Sequence, residues 1–257
     1  MRQWRRVWRL IRLSLHIIIG ILLTAWVAGI LRQSFNTPFY QRLYSWWLGK
    51  TGQIIGAQVK VMGKPAAQGT LLVANHISWL DIPMLGAYAT PRFLSKHEVR
   101  HWPVIGWLAE KSGTLFISRG HAGAAGQASA EILQALQGGR SVLLFPEGTT
   151  STGNDVRTFH ARLFAAAFDG HIPVQPVALR YPGQDGLTNP LVPYVDEQPL
   201  MANLHHLLEE PHLQVEIHFL PVIQPDGLNR KALAVACEQQ IRQVVKPAYH
   251  CAQNKAA

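Results

Sequence analysis

From about residue 55 onward, short apolar runs alternate with stretches whose apolar positions recur every three or four residues. That pattern describes strands threaded between helices, an α/β sheet rather than a bundle. The runs predict strands over 70–74, 92–95, 114–118, 141–145, 174–180 and 214–220, and helices over 83–88, 104–111, 122–137, 161–168, 201–208 and 230–245. Gly138-Gly139 supplies a helix stop ahead of the fourth strand. The Gly-, Pro-, Asp- and Asn-rich segment 182–193 reads as a surface excursion.

The N-terminal pattern differs. Residues 13–31 form a 19-residue apolar run behind Arg2, Arg5, Arg6, Arg9 and Arg12, which at helical rise spans about 28 Å, just short of a hydrocarbon core. After Asn36-Thr37-Pro38, residues 39–48 suit a second, interfacial helix. A helical hairpin dipping into one leaflet is therefore expected over 1–54, followed by one α/β domain over 55–257. A transmembrane anchor is the alternative. A secretory signal fits poorly, because cleavage after Ala28 would place Trp26 where small residues are needed, and basic residues resume at Arg32. The pair Arg5-Arg6 only faintly matches a twin-arginine signal.

Charge sharpens this division. Of 24 Lys and Arg, ten precede the first acidic residue, Asp81, so nearly all of the +9 net charge belongs to the first 64 residues. A nucleic-acid protein would spread such charge over a folded face, whereas basic residues beside an apolar segment suit an anionic membrane surface. Trp4, Trp8, Tyr40, Tyr44, Trp46 and Trp47 suit the same interface. A chain of 257 residues, 48% hydrophobic, holds one sizeable core. Its two cysteines, Cys237 and Cys251, read as free thiols of a reducing compartment. No metal-ligand spacing appears; His205-His206 lacks the partners zinc needs, and neither metal nor cofactor is expected. Internal repeats are absent.

Four stretches at strand ends carry candidate chemistry. In Asn75-His76-Ile77-Ser78-Trp79-Leu80-Asp81 a continuous helix would set the two outer side chains of the His76–Asp81 pair about 140° apart, so a turn is required for them to meet. In a turn, Asp81 can accept from one imidazole nitrogen and leave the other basic. On these residues alone, a helix-capping Asp81 above a structural His76 is an equally open reading. The stretch 113–120 ends a strand in Arg119, whose planar fork suits phosphate oxygens; a solvated surface arginine is the plainer alternative. In 142–150, Gly148 permits close backbone approach, and Glu147 could accept from a hydroxyl or order a base. Residues 172–178, with Pro173 and Pro176, suggest an edge or irregular strand.

Taken in order, N-H-x4-D at 75–81, G-x-x-F-I-x-R at 113–119, F-P-E-G-T at 145–149 and P-V-x-P-V at 173–177 resemble the four blocks of the glycerolipid acyltransferase family, which contains the 1-acylglycerol-3-phosphate acyltransferases. The resemblance implies a single mixed-sheet acyltransferase domain behind the membrane-anchoring hairpin. It implies that His76 acts as base, Asp81 orients it, Arg119 grips an acceptor phosphate, and Glu147, Gly148 and Thr149 help bind the glycerol part. It further implies an acyl-CoA or acyl carrier protein donor, a lysophospholipid acceptor and phosphatidic acid as product. Thr150 departs from the family pattern, which often has arginine there. Arg157 or Arg162 could replace that cation, or the acceptor could carry less negative charge, as a lyso-ornithine or other lyso-aminolipid does.

The chemistry implied is direct acyl transfer: His76 takes the acceptor hydroxyl proton as that oxygen attacks the thioester carbonyl, without an acyl-enzyme. Cytosolic thioesters place the domain on the cytoplasmic face of a bacterial inner membrane, which a single span with its arginines inside would not do. A serine hydrolase is the enzymatic rival, yet no G-x-S-x-G elbow occurs. A non-enzymatic lipid-binding adaptor would explain the anchor but not a base, an acid and an arginine at successive strand ends.

Overall fold

The computed structural model describes residues 1–117, 124–195 and 198–246. Two N-terminal helices come first, α1 (Arg2–Thr24), prolonged by a wider π turn over Ala25–Ile30, and α2 (Pro38–Ile55). The arginine-rich stretch is thus helical from Arg2, and the 29 residues Arg2–Ile30 are long and apolar enough to cross a membrane. α2 begins where Pro38 occupies the first turn and the Thr37 hydroxyl accepts from Tyr40 N–H at 3.4 Å, and it ends at Gly56, whose φ of 95° only glycine adopts freely. It runs to Ile55, which is 1% exposed in the domain core, so the expected division after residue 54 falls in its last turn.

The hairpin is clasped at its middle. The His16 and Trp47 rings stack at 4.9 Å, His16 Nε2 donates to the Trp47 carbonyl, and Trp47 Nε1 donates to the His16 carbonyl. Gly20 makes room for the indole, since a Cβ there would lie 2.6 Å from Trp47 Nε1.

Among the described residues seven strands follow: β1 (Ala57–Met62), β2 (Leu71–Ala74), β3 (Arg92–Lys96), β4 (Leu115–Ile117), β5 (Val142–Leu144), β6 (Val174–Arg180) and β7 (Leu213–Phe219). They form one sheet in the order β1-β7-β6-β2-β5-β3-β4, parallel throughout except for the β6–β7 pair. Between them lie α3 (Asp81–Ala89), α4 (Ile105–Lys111), α5 (Ala124–Gln137), α6 (Ala165–Asp169) and α7 (Leu200–Glu209), and α8 (Arg230–Val245) closes the fold. Alternation along the strands feeds two cores. Leu72, Ala74, Leu143, Val177 and Leu179 face α2, α3 and α7, while Leu71, Val73, Val142, Leu144 and Ala178 face α5, α6 and α8.

Three expectations are corrected. The proline-containing strand is no edge: β6 lies between β2 and β7, buried except at Arg180. Pro176 is tolerated because its carbonyl still accepts from Leu220 N–H, while the neighbouring Gln175 side chain donates to the carbonyls of Lys64 and Leu220 and accepts from Ala66 N–H. The 161–168 helix is two pieces, a 3-10 turn over Ala161–Phe164 and then α6. The 182–193 excursion returns inward, with Val192 fully buried. Cys237 is a buried core residue whose thiol burial pushes up to about 12, and Cys251 lies outside the described residues.

Candidate active site

β2 is a four-residue buried strand, and at its end the backbone leaves the sheet before α3 begins at Asp81. Asn75 fixes the point of departure: its amide donates to the Leu179 carbonyl at 3.0 Å and accepts from Leu179 N–H at 2.8 Å, bridging to β6. The following turn brings His76 Nδ1 to 2.7 Å from Asp81 Oδ2. The same oxygen accepts from Ile77 N–H at 2.7 Å and Ser78 N–H at 3.0 Å. Asp81 therefore ties down the turn that precedes it and holds the imidazole at once; it does not cap α3, whose cap position is Leu80 with no side-chain bond, so the helix-capping alternative is not what the structure shows.

With Nδ1–H donated to Asp81, Nε2 is the ring nitrogen left with a lone pair. The His76 side chain is 19% exposed and Asp81 is fully buried, so the pair sits at a surface lip with its carboxylate beneath. Phe145 stacks on the imidazole, centroids 3.9 Å apart and planes 13° from parallel, which fixes the plane of the ring.

Tyr181, at the end of β6, escaped the sequence reading. It is wholly buried and donates from its hydroxyl to Asp81 Oδ1 at 2.7 Å. Burial and the adjacent Asp81 charge hold that hydroxyl well above the usual tyrosine range, so it stays a donor. No spacing rule joins residue 181 to residue 81; only the parallel pairing of β6 with β2 brings them together.

Of the two expectations for Glu147, accepting from a hydroxyl or ordering a base, its contacts agree with the second, made through the backbone of His76. Glu147 is 4% exposed, with Oε1 accepting from His76 N–H at 2.8 Å and Oε2 from Arg157 N–H at 3.1 Å. Its carboxylate thus splices the His76 turn to the loop after β5. Burial pushes its carboxyl above the ordinary range, partly offset by those two N–H groups, His76 and Ser151. In a Glu147→Gln variant one amide hydrogen must face a backbone N–H, a mismatch expected to cost about 1–3 kcal/mol. Urea denaturation of the two forms measures it.

Gly148 takes a φ of 72°, the left-handed conformation that lets this loop turn, and Thr149 beside it is exposed. Ser151 ties the loop to the His76 turn by donating from N–H and hydroxyl to the His76 carbonyl at 2.8 and 3.1 Å. The Thr150 hydroxyl donates to the Tyr194 carbonyl, and Tyr194 N–H to the Ile77 carbonyl. Arg157 and Arg162 are exposed, Arg157 being joined to the turn through Glu147. Arg119 lies outside the described residues.

A buried carboxylate orienting an imidazole at the carboxyl ends of parallel strands equips the site for proton abstraction from an alcohol. The same fold occurs in the 1-acyl-sn-glycerophosphate acyltransferase PlsC of Thermotoga maritima, with a TM-score of 0.68 at 21% identity over 95% of this chain and 96% of that one. A model of the acyltransferase family matches residues 58–180. The chain is 42% identical over 246 residues to a lyso-ornithine lipid O-acyltransferase of Pseudomonas aeruginosa, covering 94% of each. It is 34% identical over 195 residues to a 1-acyl-sn-glycerol-3-phosphate acyltransferase of Neisseria gonorrhoeae, covering 74% of this chain and 75% of that one. The chain belongs to the acyltransferase family. Within that family it is an O-acyltransferase whose acceptor is a lysolipid.

Proposed function

We propose that this chain esterifies the free hydroxyl of a lyso-ornithine lipid with a fatty acyl group drawn from acyl-CoA or acyl carrier protein. The observation that carries the acceptor is the 42% identity to the P. aeruginosa lyso-ornithine lipid enzyme across almost the whole of both chains. Thr150 agrees with it. Where the family pattern often has a cation for the acceptor phosphate, this side chain is spent on the Tyr194 carbonyl.

In the reaction His76 Nε2 removes the hydroxyl proton as that oxygen attacks the thioester carbonyl, and Asp81 stabilises the resulting imidazolium. Phe145 holds the ring in plane, and Tyr181 holds Asp81. Collapse of the tetrahedral intermediate expels the thiolate, which takes up the proton and leaves as the thiol. Arg119, Gly148 and Thr149 serve the polar headgroup, while Glu147 holds their loop to the His76 turn.

The second reading, acylation of 1-acylglycerol-3-phosphate, is favoured by the Neisseria relatives and the four sequence blocks. Purified enzyme with labelled acyl donor and both lysolipids in one vesicle decides between them. The expected result is at least about tenfold higher kcat/KM for the lyso-ornithine lipid, since a phosphate would miss the cation that the family pattern often supplies where Thr150 stands. Equal or better use of 1-acylglycerol-3-phosphate assigns the second reading.

The hairpin is proposed to lie in one leaflet of the cytoplasmic face. Trp4, Val7, Trp8, Ile11, Leu15, Ile18, Ile19 and Leu22 make one exposed apolar face of α1, continued by Trp26 in the π turn. On its other side Arg6 pairs with Glu209 at 2.6 Å and Arg9 donates to the carbonyls of Leu208, Glu210 and Pro211 at the end of α7. A helix bound to the domain along one side and apolar along the other fits an interfacial position.

A further inference from the structure

The connection between β3 and α4 carries a feature that acyl transfer does not use. His101, Trp102, Pro103, Val104 and Ile105 are five consecutive exposed residues, with Trp102 48%, Val104 40% and Ile105 44% accessible. Leaving apolar side chains this far in water forgoes part of the hydrophobic stabilisation that burial would give. The backbone holds them out at further cost. Val104 has φ 63° and ψ −57°, and Ile105 N–H donates to the Pro103 carbonyl at 2.6 Å, which makes a three-residue γ-turn of the rare positive-φ kind around a β-branched residue. Conformations of this sort are strained and persist where their surroundings over-determine them. Here Gly106 does so, because a Cβ would lie 2.2 Å from the Arg100 carbonyl oxygen, so the turn over His97–His101 sits hard against the start of α4.

Placement gives this tip its meaning. Because β2, β5, β3 and β4 are parallel, the segment that follows β3 stands on the same edge of the sheet as His76, which follows β2. β7 runs antiparallel to β6 and therefore starts at that edge, where Arg9 of α1 grips the carbonyls of Glu210 and Pro211. The Trp4–Trp8 end of α1, the 102–105 tip and the catalytic turn thus share one edge. Lys96, Arg100 and His101 are exposed beside the tip, with Glu98 and Glu110 as the acidic residues among them, and Glu110 is paired with Arg100.

We propose that the 102–105 tip is a second lipid-contacting element, inserting Trp102, Val104 and Ile105 at the boundary of headgroups and acyl chains while its basic neighbours meet anionic headgroups. The inference rests on the interfacial reading of α1, which it extends by turning the catalytic edge toward the leaflet that holds the lysolipid. Two points of contact at one edge fix an orientation that a single helix, free to roll, does not.

The test uses the full chain with Cys251→Ser, the buried Cys237 being retained. Val104→Cys and Leu15→Cys are each labelled with an environment-sensitive fluorophore and reconstituted into vesicles of mixed anionic and zwitterionic phospholipid, with or without a nitroxide-bearing lipid. Both labels are expected to shift to the blue and to be quenched by the nitroxide. In parallel, replacing Trp102, Val104 and Ile105 together by serine is expected to slow turnover of bilayer-presented lysolipid about tenfold and to leave turnover in detergent micelles unchanged. Shielding at 15 with position 104 in water overturns the tip and keeps the hairpin, whereas shielding at neither overturns both. Shielding at 104 alone supports the tip and removes the hairpin reading. A concentration-dependent shift at 104 without lipid makes the tip a contact between copies and overturns the proposal, as does equal slowing in micelles.

Discussion

Replacing His76 with alanine is expected to lower kcat by about 10²–10⁴-fold, the usual contribution of a positioned general base. Folding should survive, because Asp81 keeps its bonds from Ile77, Ser78 and Tyr181 when the imidazole is gone. The change in stability should stay within about 1 kcal/mol, as for a partly exposed side chain with one polar partner. Steady-state kinetics beside a denaturation curve check both. A variant that folds and retains full turnover would remove His76 from the role of base and move the proton abstraction to another group.

The second large effect concerns Asp81→Asn. The native carboxylate accepts four hydrogen bonds, three at Oδ2 and one at Oδ1. An asparagine has one acceptor oxygen and one NH₂ group, so one side must face a donor. Tyr181 can reverse by rotating its hydroxyl to accept, and the imidazole by changing tautomer, but the amide N–H groups of Ile77 and Ser78, both bound at Oδ2, cannot. The asparagine oxygen should therefore keep the Oδ2 position and the NH₂ should point at Tyr181. The His76 tautomer survives, but the charge that stabilises the imidazolium is lost. The expectation is a fall in kcat of about 10²–10⁴-fold and a loss of about 1–3 kcal/mol in stability. Adding Tyr181→Phe strands the NH₂ against a ring. In the native background the same change strands a charged oxygen instead, so the double variant should lose less stability than the sum of the singles, which a double-mutant cycle in urea measures.

The pair at the centre of both predictions was legible because its two residues lie five apart in a stretch that must turn. Its supports were less so. Tyr181 is far off in sequence and joins the site by strand order alone, information that local patterns do not contain. Glu147 was recognised as important, but whether its oxygens face a substrate or the backbone depends on how two loops meet, and they meet backbone to carboxylate. Long amphipathic elements such as α5 and α8 were read closely, since their periodicity runs over several turns. β1 was missed, being a six-residue edge strand whose exposed Gln58 and Lys60 interrupt any apolar run. The prolines at 173 and 176 argued for an edge, but Gln175 side-chain hydrogen bonds make a central position tolerable. The helical start of α1 was hidden by its arginines, two of which are paired with the end of α7 and not left to solvent.

Both carboxylates that shape the catalytic turn reach it through main-chain amide groups, which every amino acid except proline possesses. Side chains at 77 and 78 can therefore change without undoing the carboxylate grip on that stretch of backbone. Headgroup preference can then drift through the outer loops while the proton-handling apparatus stays constant. A scaffold wired this way can supply ester-forming enzymes for zwitterionic and for phosphorylated lipids alike, and converting one into the other should demand changes at the rim alone.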